Sequence, residues 1–358
     1  MAESPRSYFS SPERAGTWMA SDGPDHDVVV TTRIRLARNL EGFPFRSRLS
    51  DERSRELVAL LRERLGGLEL AKDQAWLALD ELEELDRELL FEHHLISLEL
   101  ARGSGPRGVF FSLNRHVSVM VNEEDHLRLQ VLGPGQNLAG LLEQLRDLDQ
   151  LLARRVAYAY HPRFGYLTSC PTNVGTGLRL SVMLHLPALV YSKEIEKVFN
   201  SAAKMKLAVR GFYGEGTSYL GDFFQVSNQV TLGRSLEKLL QDLTKVLPKL
   251  VDQERGVRRT ILEENGKGLE DRIWRAFGVL SHARRINSQE ALELLSQVRL
   301  GVSLGILRGL DLKAVNELLV MSQPAHVQAR EKRELKEEER DLARARYIRQ
   351  RLGEPSGA

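Results

Sequence analysis

Two arginines in the segment TTRIRL have a type and spacing suited to binding anions. Arg33 and Arg35 lie two residues apart in a β-branched run that predicts a strand. Because side chains alternate across a strand, both guanidinium groups are expected on one face of a sheet. A guanidinium is always charged and its donors match phosphate oxygens, so the pair predicts a polyphosphate site. An exposed strand face, with both arginines solvated or paired with acids, is the alternative that the pattern leaves open.

A second charged segment, VNEEDHLRLQ, combines acids with another arginine. If its second half is extended, Glu124, His126 and Arg128 share a face and place a carboxylate near a guanidinium. Such a face would hold a cationic group next to an anionic one. The alternative is a charged hairpin turn between strands at 116–121 and 126–132, which the pattern alone favours slightly.

The segment CPTNVGTGLRLS is the most specific feature of the chain. Cys170 precedes a proline, a capping residue and glycines that allow close backbone approach to a ligand, and Arg179 follows in a stretch interpreted as helix-like. A loop of this kind is suited to cradling phosphate. Cys170 is the single cysteine, for which inert packing is the usual role, but a helix N-terminus beside it would lower its pKa.

A glycine-rich segment, RGFYGEG, again places a cation near a carboxylate. Its charged members are Arg210 and Glu215. The sequence has no P-loop, no kinase-type glycine-rich signature, no HExxH and no CxxC, so the common phosphate and metal motifs do not explain these residues.

Composition limits the classes of function. The 358 residues carry 51 Lys and Arg against 49 Asp and Glu, and a net charge of +2 is too small to indicate nucleic-acid binding. One cysteine cannot form an internal disulfide, which favours a reducing compartment. The N-terminal residues lack the apolar core of a signal peptide, and no stretch approaches the roughly 20 apolar residues of a membrane span. We therefore expect a cytoplasmic protein without a nucleic-acid or membrane partner.

The order of predicted elements indicates an α+β fold. Helices are expected at 51–65 and 80–100, strands at 109–113, 116–121 and 126–132, a helix to about Ala153, and strands at 206–212 and 223–230. Because strands and helices cluster without βαβ alternation, the sheet is expected to be largely antiparallel.

The last third of the chain reads as helix throughout. Helical patterns occur at 234–263, 267–282, 288–300, 312–321 and 327–352. We predict a polar N-terminal segment at 1–27, a catalytic domain at 28–254 and a helical C-terminal domain at 255–358.

Four motifs together resemble the phosphagen (ATP:guanido) kinase family. TTRIRL, NEEDHLR, CPTNVGT with its downstream arginine, and RGFYGEG occur in the order seen in that family, over about residues 28–250. Within the family, the pattern is most similar to the bacterial protein-arginine kinases of the McsB type. Only 32 residues precede Arg33, where small-molecule arginine kinases carry a helical domain that encloses their substrate. Tyr213 and Ser218 also stand where those enzymes carry an arginine and a carboxylate.

The resemblance implies a role for each motif residue. The nucleotide phosphates would be bound by the arginines of the motifs, with a histidine of EHHLIS nearby: Arg33, Arg35, His94, Arg128, Arg179 and Arg210. Glu124 would orient the acceptor guanidinium and accept its proton, Glu215 would assist it, and Cys170 would tune the site electrostatically. For His94, a helix-terminal residue without a ligand role is the alternative. ATP and Mg²⁺ are the implied cofactors.

The C-terminal segment RDLARA is similar to the RDxxRA element with which protein-arginine kinases bind phosphoarginine. Arg340 and Arg344 lie four residues apart on one helix face, suited to gripping a phosphate, and Asp341 could pair with a guanidinium. A solvated charged helix is the simpler interpretation of the pattern by itself.

The implied activity is transfer of the ATP γ-phosphoryl group to arginine side chains of proteins. The resemblance further implies a homodimer, a zinc-binding activator protein and a Clp chaperone-protease that degrades marked proteins in a stress response. Two alternatives remain open: a kinase for a free guanidino metabolite, and a non-catalytic adaptor that reads phosphoarginine.

Overall fold

A broad antiparallel sheet forms the centre of the molecule. The computed structural model describes residues 16–66, 68, 74–114, 116–211 and 220–353. Within these residues, the strands of the main sheet are β1 Val29–Arg38, β2 Gln74–Ala78, β3 Gly108–Ser112, β4 Val117–Val121, β5 Leu127–Pro134, β8 Leu178–His185, β9 Leu207–Gly211 and β10 Phe223–Asn228. They pair in the order β2-β3-β4-β5-β1-β8-β10-β9, and every pairing is antiparallel. Strands β6 (Tyr160–His161) and β7 (Gly165–Tyr166) form a separate hairpin.

Helices pack on both faces of the sheet and continue as the C-terminal region. They are α1 Asp51–Gly66, α2 Glu84–Glu92, α3 Leu98–Arg102, α4 Leu138–Ala153, α5 Pro187–Tyr191, α6 Ile195–Lys204, α7 Leu236–His282, α8 Ser288–Ser303, α9 Leu312–Met321, α10 Pro324–Glu331 and α11 Glu337–Leu352. The α+β fold with a largely antiparallel sheet, predicted from the order of elements, is confirmed.

The two faces of the central strands differ sharply in chemistry. On β1, Ile34 and Leu36 join the main hydrophobic core, while Arg33 and Arg35 point to the opposite face. Strand β8 alternates in the same way, with Leu178 and Leu180 in the core. Because side chains alternate strictly along a strand, the apolar residues fix which side chains reach the other face. The packing of the core therefore sets the position of the arginines.

The described C-terminal helices pack around a second hydrophobic core. Its buried members include Ile273, Leu295 and Ile348, from three different helices. Val30 and Phe223, on strands of the main sheet, belong to this second core as well. The C-terminal region is thus packed directly against the sheet.

The helix predicted at 80–100 is divided in the structure. Helix α2 ends at Glu92, His94 adopts a left-handed conformation with φ 58°, and α3 starts anew at Leu98. The Ser97 hydroxyl caps α3 by accepting the Leu100 amide at 3.0 Å. Leucines at helical spacing continue through this break, so periodicity alone predicts one helix instead of two.

Three further helix predictions are corrected. The patterns at 234–263 and 267–282 form one helix, α7, with a kink at Asn265 (φ −146°, ψ 42°). The pattern at 327–352 is two helices, because Lys332 ends α10 in a left-handed conformation. Arg179, interpreted as helix-like, lies on strand β8, where Leu178, Leu180, Val182 and Leu184 alternate into the core with period two.

No helix among the described residues has the length and apolarity needed to cross a membrane.

Helix α4 offers a direct test of the main core. Leu145 is fully buried, whereas Leu151 on the same helix is 42% exposed. We expect Leu145→Ala to lower the free energy of unfolding by about 2–5 kcal/mol, because it removes buried methyl groups and leaves a cavity. Leu151→Ala is the matched control and should change it by less than about 1 kcal/mol. Urea titration measures both, and equal losses would contradict this packing of α4.

Candidate active site

A cavity of about 510 Å³ lies on the polar face of the sheet. Its size is in the range of sites that hold a nucleotide-sized ligand. The sequence-predicted residues that line it are Arg33, Arg35, His94, Glu124, Arg128, Cys170, Arg179 and Arg210. Segments far apart in the sequence thus contribute to a single site.

Strand register brings positive charges into direct opposition. Arg35 of β1 is the cross-strand partner of Arg179 of β8. Side chains opposed in this way have Cβ atoms about 4.5–5.5 Å apart, and like charges there are destabilising. Arg210 lies farther along the same face, opposite Gln225 of β10. The arrangement therefore favours an anion between the arginines.

The pKa values of the arginines reflect this crowding. Burial, followed by repulsion from Arg179, Arg128 and Arg210, lowers the pKa of Arg33 to about 10. Burial, with repulsion from its neighbours, also lowers the pKa of Arg35 well below its ordinary value. The Arg35 Nε atom is buried and has no hydrogen-bond partner within the described part of the chain. A polyphosphate would supply both the negative charge and the missing acceptors.

Neutral side chains hold the arginines without neutralising them. Arg33 Nη2 donates to Gln225 Oε1 at 3.0 Å, and Arg179 Nη2 donates to Ser227 Oγ at 3.2 Å. An amide and a hydroxyl orient a guanidinium but leave its full charge for a ligand. The arginines are therefore pre-positioned for an anion.

Carboxylates lie at the other end of the cavity. Arg128 Nη1 contacts Glu123 Oε1 at 2.7 Å and Arg128 Nη2 contacts Glu124 Oε2 at 3.2 Å. Burial raises the pKa of Glu124; Arg128 opposes this shift, while Asp125, Glu123 and Glu99 add to it. A carboxylate with a raised pKa is a better proton acceptor. This end of the cavity suits a cationic guanidinium.

The Cys170 loop is fastened to the carboxylate turn. The Ser169 hydroxyl donates to the Glu124 carbonyl at 2.8 Å, and the Ser169 amide donates to Asp125 Oδ1 at 2.7 Å. Cys170 Sγ lies 3.0 Å from Thr172 Oγ1. Cys170 precedes a 3₁₀ turn of three residues, Pro171–Asn173. The thiol and Glu124 are thus held at the same end of the cavity.

His126 does not share the face of Glu124 and Arg128, contrary to the extended interpretation. It is fully buried, its Nδ1 accepts from the Leu40 amide at 3.0 Å, and its Nε2 lies 2.9 Å from the Pro44 carbonyl. Strand β5 begins only at Leu127, so residues 122–126 form a turn between β4 and β5. The charged-turn alternative describes this segment correctly.

His94 lies at the arginine end of the cavity. Its ring packs edge-on against Trp18, with centroids 5.2 Å apart, and its carbonyl accepts from Gln130 Nε2 at 2.7 Å. Burial, then repulsion from Arg33 and from His326, lowers the pKa of His94 to about 3. The neutral imidazole is therefore the form present in the folded protein at neutral pH.

Two predicted groups of residues are not among the described residues that line the cavity. Glu215 falls outside the described residues, so its assignment stays a prediction. Arg344 is 1% exposed and donates to the carbonyls of Ser322 and Ile286 and to Asp341. Asp341 also lies 3.7 Å from Arg285, and Arg340 donates to the Leu335 carbonyl. The phosphoarginine role of this cluster stays a prediction.

Sequence reasoning missed several residues that position the site. Asp125 is fully buried and accepts from Asn39 Nδ2 at 2.6 Å as well as from Ser169. Glu123 binds Arg128, and Gln225 binds Arg33. The consecutive acids of NEEDHLR were a visible signal for Glu123, but nothing local in the sequence pairs Gln225 with an arginine 192 residues away.

Comparison with family models agrees with this geometry. Residues 56–257 match the model of the ATP:guanido phosphotransferase C-terminal catalytic domain. The match covers more than half of the 358 residues. The chain therefore belongs to the ATP:guanido phosphotransferase family, the resemblance already visible in its motifs. Residues 266–357 match a second model, the protein-arginine kinase McsB C-terminal domain.

Individual relatives are similar over nearly their whole length. The chain is 44% identical to the protein-arginine kinase of Halothermothrix orenii, covering 94% of this chain and 96% of the relative. It is 45% identical to the protein-arginine kinase of Moorella thermoacetica, covering 95% and 98%. The protein-arginine kinase of Geobacillus stearothermophilus is 43% identical, with 94% and 93% covered.

Solved structures share the fold. The duplicated taurocyamine kinase of Schistosoma mansoni with bound transition state analog components is similar with a TM-score of 0.59 and 28% identity. That similarity covers 64% of this chain and 33% of the other. Lombricine kinase is similar with a TM-score of 0.60 over 69% of this chain and 72% of the other, and its 24% identity supports the fold alone.

The opposed arginines are expected to lower the stability of the ligand-free protein and to strengthen anion binding. We expect Arg35→Gln to raise the free energy of unfolding of the ligand-free protein by about 0.5–1 kcal/mol, because it removes a like-charge pair. The same change should weaken the stabilisation that MgADP gives, measured as a shift in Tm. Arg275→Gln, which removes an exposed guanidinium on α7, is the control. Destabilisation of ligand-free Arg35→Gln with a full MgADP shift would contradict this account.

The low pKa of His94 predicts a pH dependence of stability. Unfolded histidine takes up a proton below its ordinary pKa of 6.5, whereas His94 in the fold resists protonation until about pH 3. The unfolded state then binds more protons, so stability falls as pH drops from 6.5 towards 3. We expect His94→Gln to reduce the slope of the unfolding free energy against pH by the contribution of about one bound proton. Urea unfolding at several pH values measures this slope. An unchanged slope would contradict the assignment.

Proposed function

We propose that this protein transfers the γ-phosphoryl group of ATP to arginine side chains of proteins. The observation that carries the proposal is the cavity itself, which has a face of crowded arginines at one end and carboxylates with a thiol at the other. Such a cavity suits a polyanion beside a guanidinium cation. The curated relatives named protein-arginine kinase, and the match of the C-terminal helices to the domain of such an enzyme, support proteins as the acceptor.

Alignment and charge stabilisation are the main contributions required of the protein. In phosphoryl transfer, negative charge spreads over the equatorial oxygens while the attacking and leaving atoms stay in line. Arg33, Arg35 and Arg179 would bind the phosphates of the nucleotide, and Arg128 and Arg210 would complete the set. Because the sheet fixes these side chains before the ligand arrives, little reorganisation is needed during the reaction.

Glu124 is the proposed proton acceptor. A guanidinium with a pKa above 12 is a poor nucleophile and must lose a proton as its nitrogen bonds to phosphorus. In the proposed step the N–P bond forms, the bond from phosphorus to the ADP oxygen breaks, and the proton passes to the Glu124 carboxylate. The carboxylate also fixes the planar guanidinium by paired hydrogen bonds. Glu215 is proposed to assist, and Cys170 to stabilise the cation electrostatically.

Mg²⁺ is proposed to accompany the nucleotide. This ion prefers oxygen ligands and usually combines one or two carboxylates with phosphates and water. Glu123 fits such a role, because it lines the cavity and its Oε2 atom has no hydrogen-bond partner among the described residues. Bound magnesium would neutralise charge on the phosphates.

Arg128 lies between the arginine end and the carboxylate end of the cavity, so its substitution should have a different effect from that of Glu124. We expect Glu124→Gln to lower kcat by about 10²–10⁴, with nucleotide affinity nearly unchanged, because it removes only the proton acceptor. Arg128→Ala should weaken nucleotide binding and transfer together, because its guanidinium also orients Glu123 and Glu124. Glu263→Gln, on the exposed surface of α7, is the control. Transfer by Glu124→Gln at the wild-type rate would remove the base assignment.

One incubation distinguishes the proposed activity from its alternatives. The chain is mixed with MgATP, an unstructured arginine-containing protein and free arginine. We expect acid-labile phosphoarginine on the protein, located by mass spectrometry, and little on the free amino acid. Phosphorylation of free arginine alone would favour a metabolite kinase, and binding of phosphoarginine without any transfer would favour an adaptor.

The fate of the product forms a separate part of the proposal. We propose that the modified proteins are delivered to a Clp-type chaperone-protease during stress in the cytoplasm, and that a homodimer acts with a zinc-binding activator protein. Family resemblance supports this part. Arg340, Asp341 and Arg344 are proposed to bind phosphoarginine, which requires Arg344 to exchange its internal carbonyl partners for phosphate oxygens.

A further inference from the structure

A buried polar contact joins the C-terminal region to the cavity wall. Glu92 and His93 follow one another at the end of α2, and His326 lies on α10. We call these three residues the Glu92–His326 triad. His93 is fully buried, His326 is 2% exposed and Glu92 is 9% exposed. Polar groups buried to this degree are costly unless every one is paired, so their arrangement is specific.

Glu92 supplies the cap that α10 lacks. The residue before α10, Gln323, makes no side-chain cap hydrogen bond. The Glu92 carboxylate instead accepts from the Ala325 amide at 2.8 Å and from the His326 amide at 3.1 Å. A carboxylate at a helix N-terminus satisfies free amides and interacts favourably with the helix dipole. The first turn of α10 is thus completed by a side chain of α2.

The imidazoles extend the contact towards the cavity. His326 Nδ1 lies 2.6 Å from Glu92 Oε2, and His326 Nε2 lies 2.8 Å from His93 Nε2. The next residue in the chain is His94, which lines the cavity in its left-handed conformation.

The turn bearing His94 is held by contacts from several directions. A left-handed conformation costs a residue other than glycine about 1 kcal/mol, so neighbouring contacts must maintain it. Gln130 holds the His94 carbonyl from β5. The Trp18 ring packs against the imidazole and shares a small core with Val320 of α9. Two elements of the C-terminal region therefore approach this turn, α10 through the triad and α9 through Trp18.

We propose that the Glu92–His326 triad positions His94, so that helix α10 completes the nucleotide end of the cavity. The inference rests on the proposed function to the extent that it takes His94 to face the nucleotide. His326 is then a positioning residue that acts through the turn at 93–94. Nucleotide affinity should depend on the triad, while the transfer step at saturating nucleotide should not.

The test measures MgADP binding by calorimetry and the steady-state constants on an arginine-containing protein. His326→Ala is expected to raise Kd for MgADP and KM for MgATP about tenfold, the order of one lost buried hydrogen bond to a charged group, with kcat nearly unchanged. His326→Asn places an amide nitrogen near the position of Nδ1 and keeps the bond to Glu92, but it lacks the ring nitrogen that contacts His93, so its affinity should stay close to that of His326→Ala. His282→Ala is the control, because that imidazole is exposed and contacts the Gly278 carbonyl of its own helix.

A purely structural triad would give a different result. It would lower Tm in His326→Ala and Glu92→Gln while leaving Kd for MgADP unchanged, and that outcome would overturn the proposal. The double variant His94→Ala with His326→Ala supplies the second criterion. We expect the effect of His326→Ala on Kd largely to disappear without the His94 ring, and simple additivity would also overturn the proposal.

Calorimetry keeps this proposal separate from the proposed function. It reads nucleotide binding without any transfer step. A wild-type chain that binds MgADP but phosphorylates no arginine would refute the proposed function, while the triad would still be judged by the affinity of its variants. If His326→Ala does not fold, His326→Asn and Glu92→Gln preserve most of the side-chain volume and give the same comparison.

Discussion

Mutual repulsion among the arginines on one face of an antiparallel sheet is the constraint on which this structure depends. Arg35 faces Arg179 across two hydrogen-bonded strands, and burial with repulsion lowers the pKa of both Arg33 and Arg35. Gln225 and Ser227 orient guanidinium groups on this face but, being neutral, do not offset their charge. The fold must therefore provide the energy that keeps these charges together until an anion binds.

That energy comes from the opposite face of the same strands. Ile34, Leu36 and Leu180 are buried in the main core, and a one-residue slip of either strand would exchange them with the arginines. Hydrophobic burial thus specifies the register, and the register specifies the electrostatics. A helical support for the site would not give this coupling so directly, because a helix directs its side chains around an axis instead of onto two opposite faces.

Local spacing in the sequence predicted those parts of the site that a single segment determines. Arg33 and Arg35 share a face because they are two residues apart on a strand, as expected. The proline and glycines before Arg179 suggest a helix start, but the alternation of core leucines around it places Arg179 on a strand. His126 was placed beside Glu124 by assuming an extended backbone where the chain turns.

Contacts between distant segments carried no local signal. His93 and His326 are 233 residues apart. His93 lies inside the helical pattern at 80–100 and His326 just before the pattern at 327–352, and neither pattern indicates a partner. The break between α2 and α3 was hidden for a related reason. Leucine periodicity continues through 93–97, whereas the conformation of His94 is maintained by Gln130, Trp18 and the adjacent triad. Tertiary contacts decided these features, and single-segment patterns do not contain them.

The two ends of the cavity are built from different kinds of structure. The arginines stand on paired strands, and hydrogen bonds fix β1, β5 and β8 on both sides, whereas Arg210 lies on the edge strand β9. Glu124 and Cys170, in contrast, lie on a turn and a loop held together through Ser169 and Asp125. In the proposed reaction the nucleotide is the same in every turnover, so a rigid face suits it. The proposed acceptor, an arginine presented by a protein, would arrive with a different backbone each time, and a loop-built end of the cavity would adapt to that variety with less disturbance of the strands that carry the arginines.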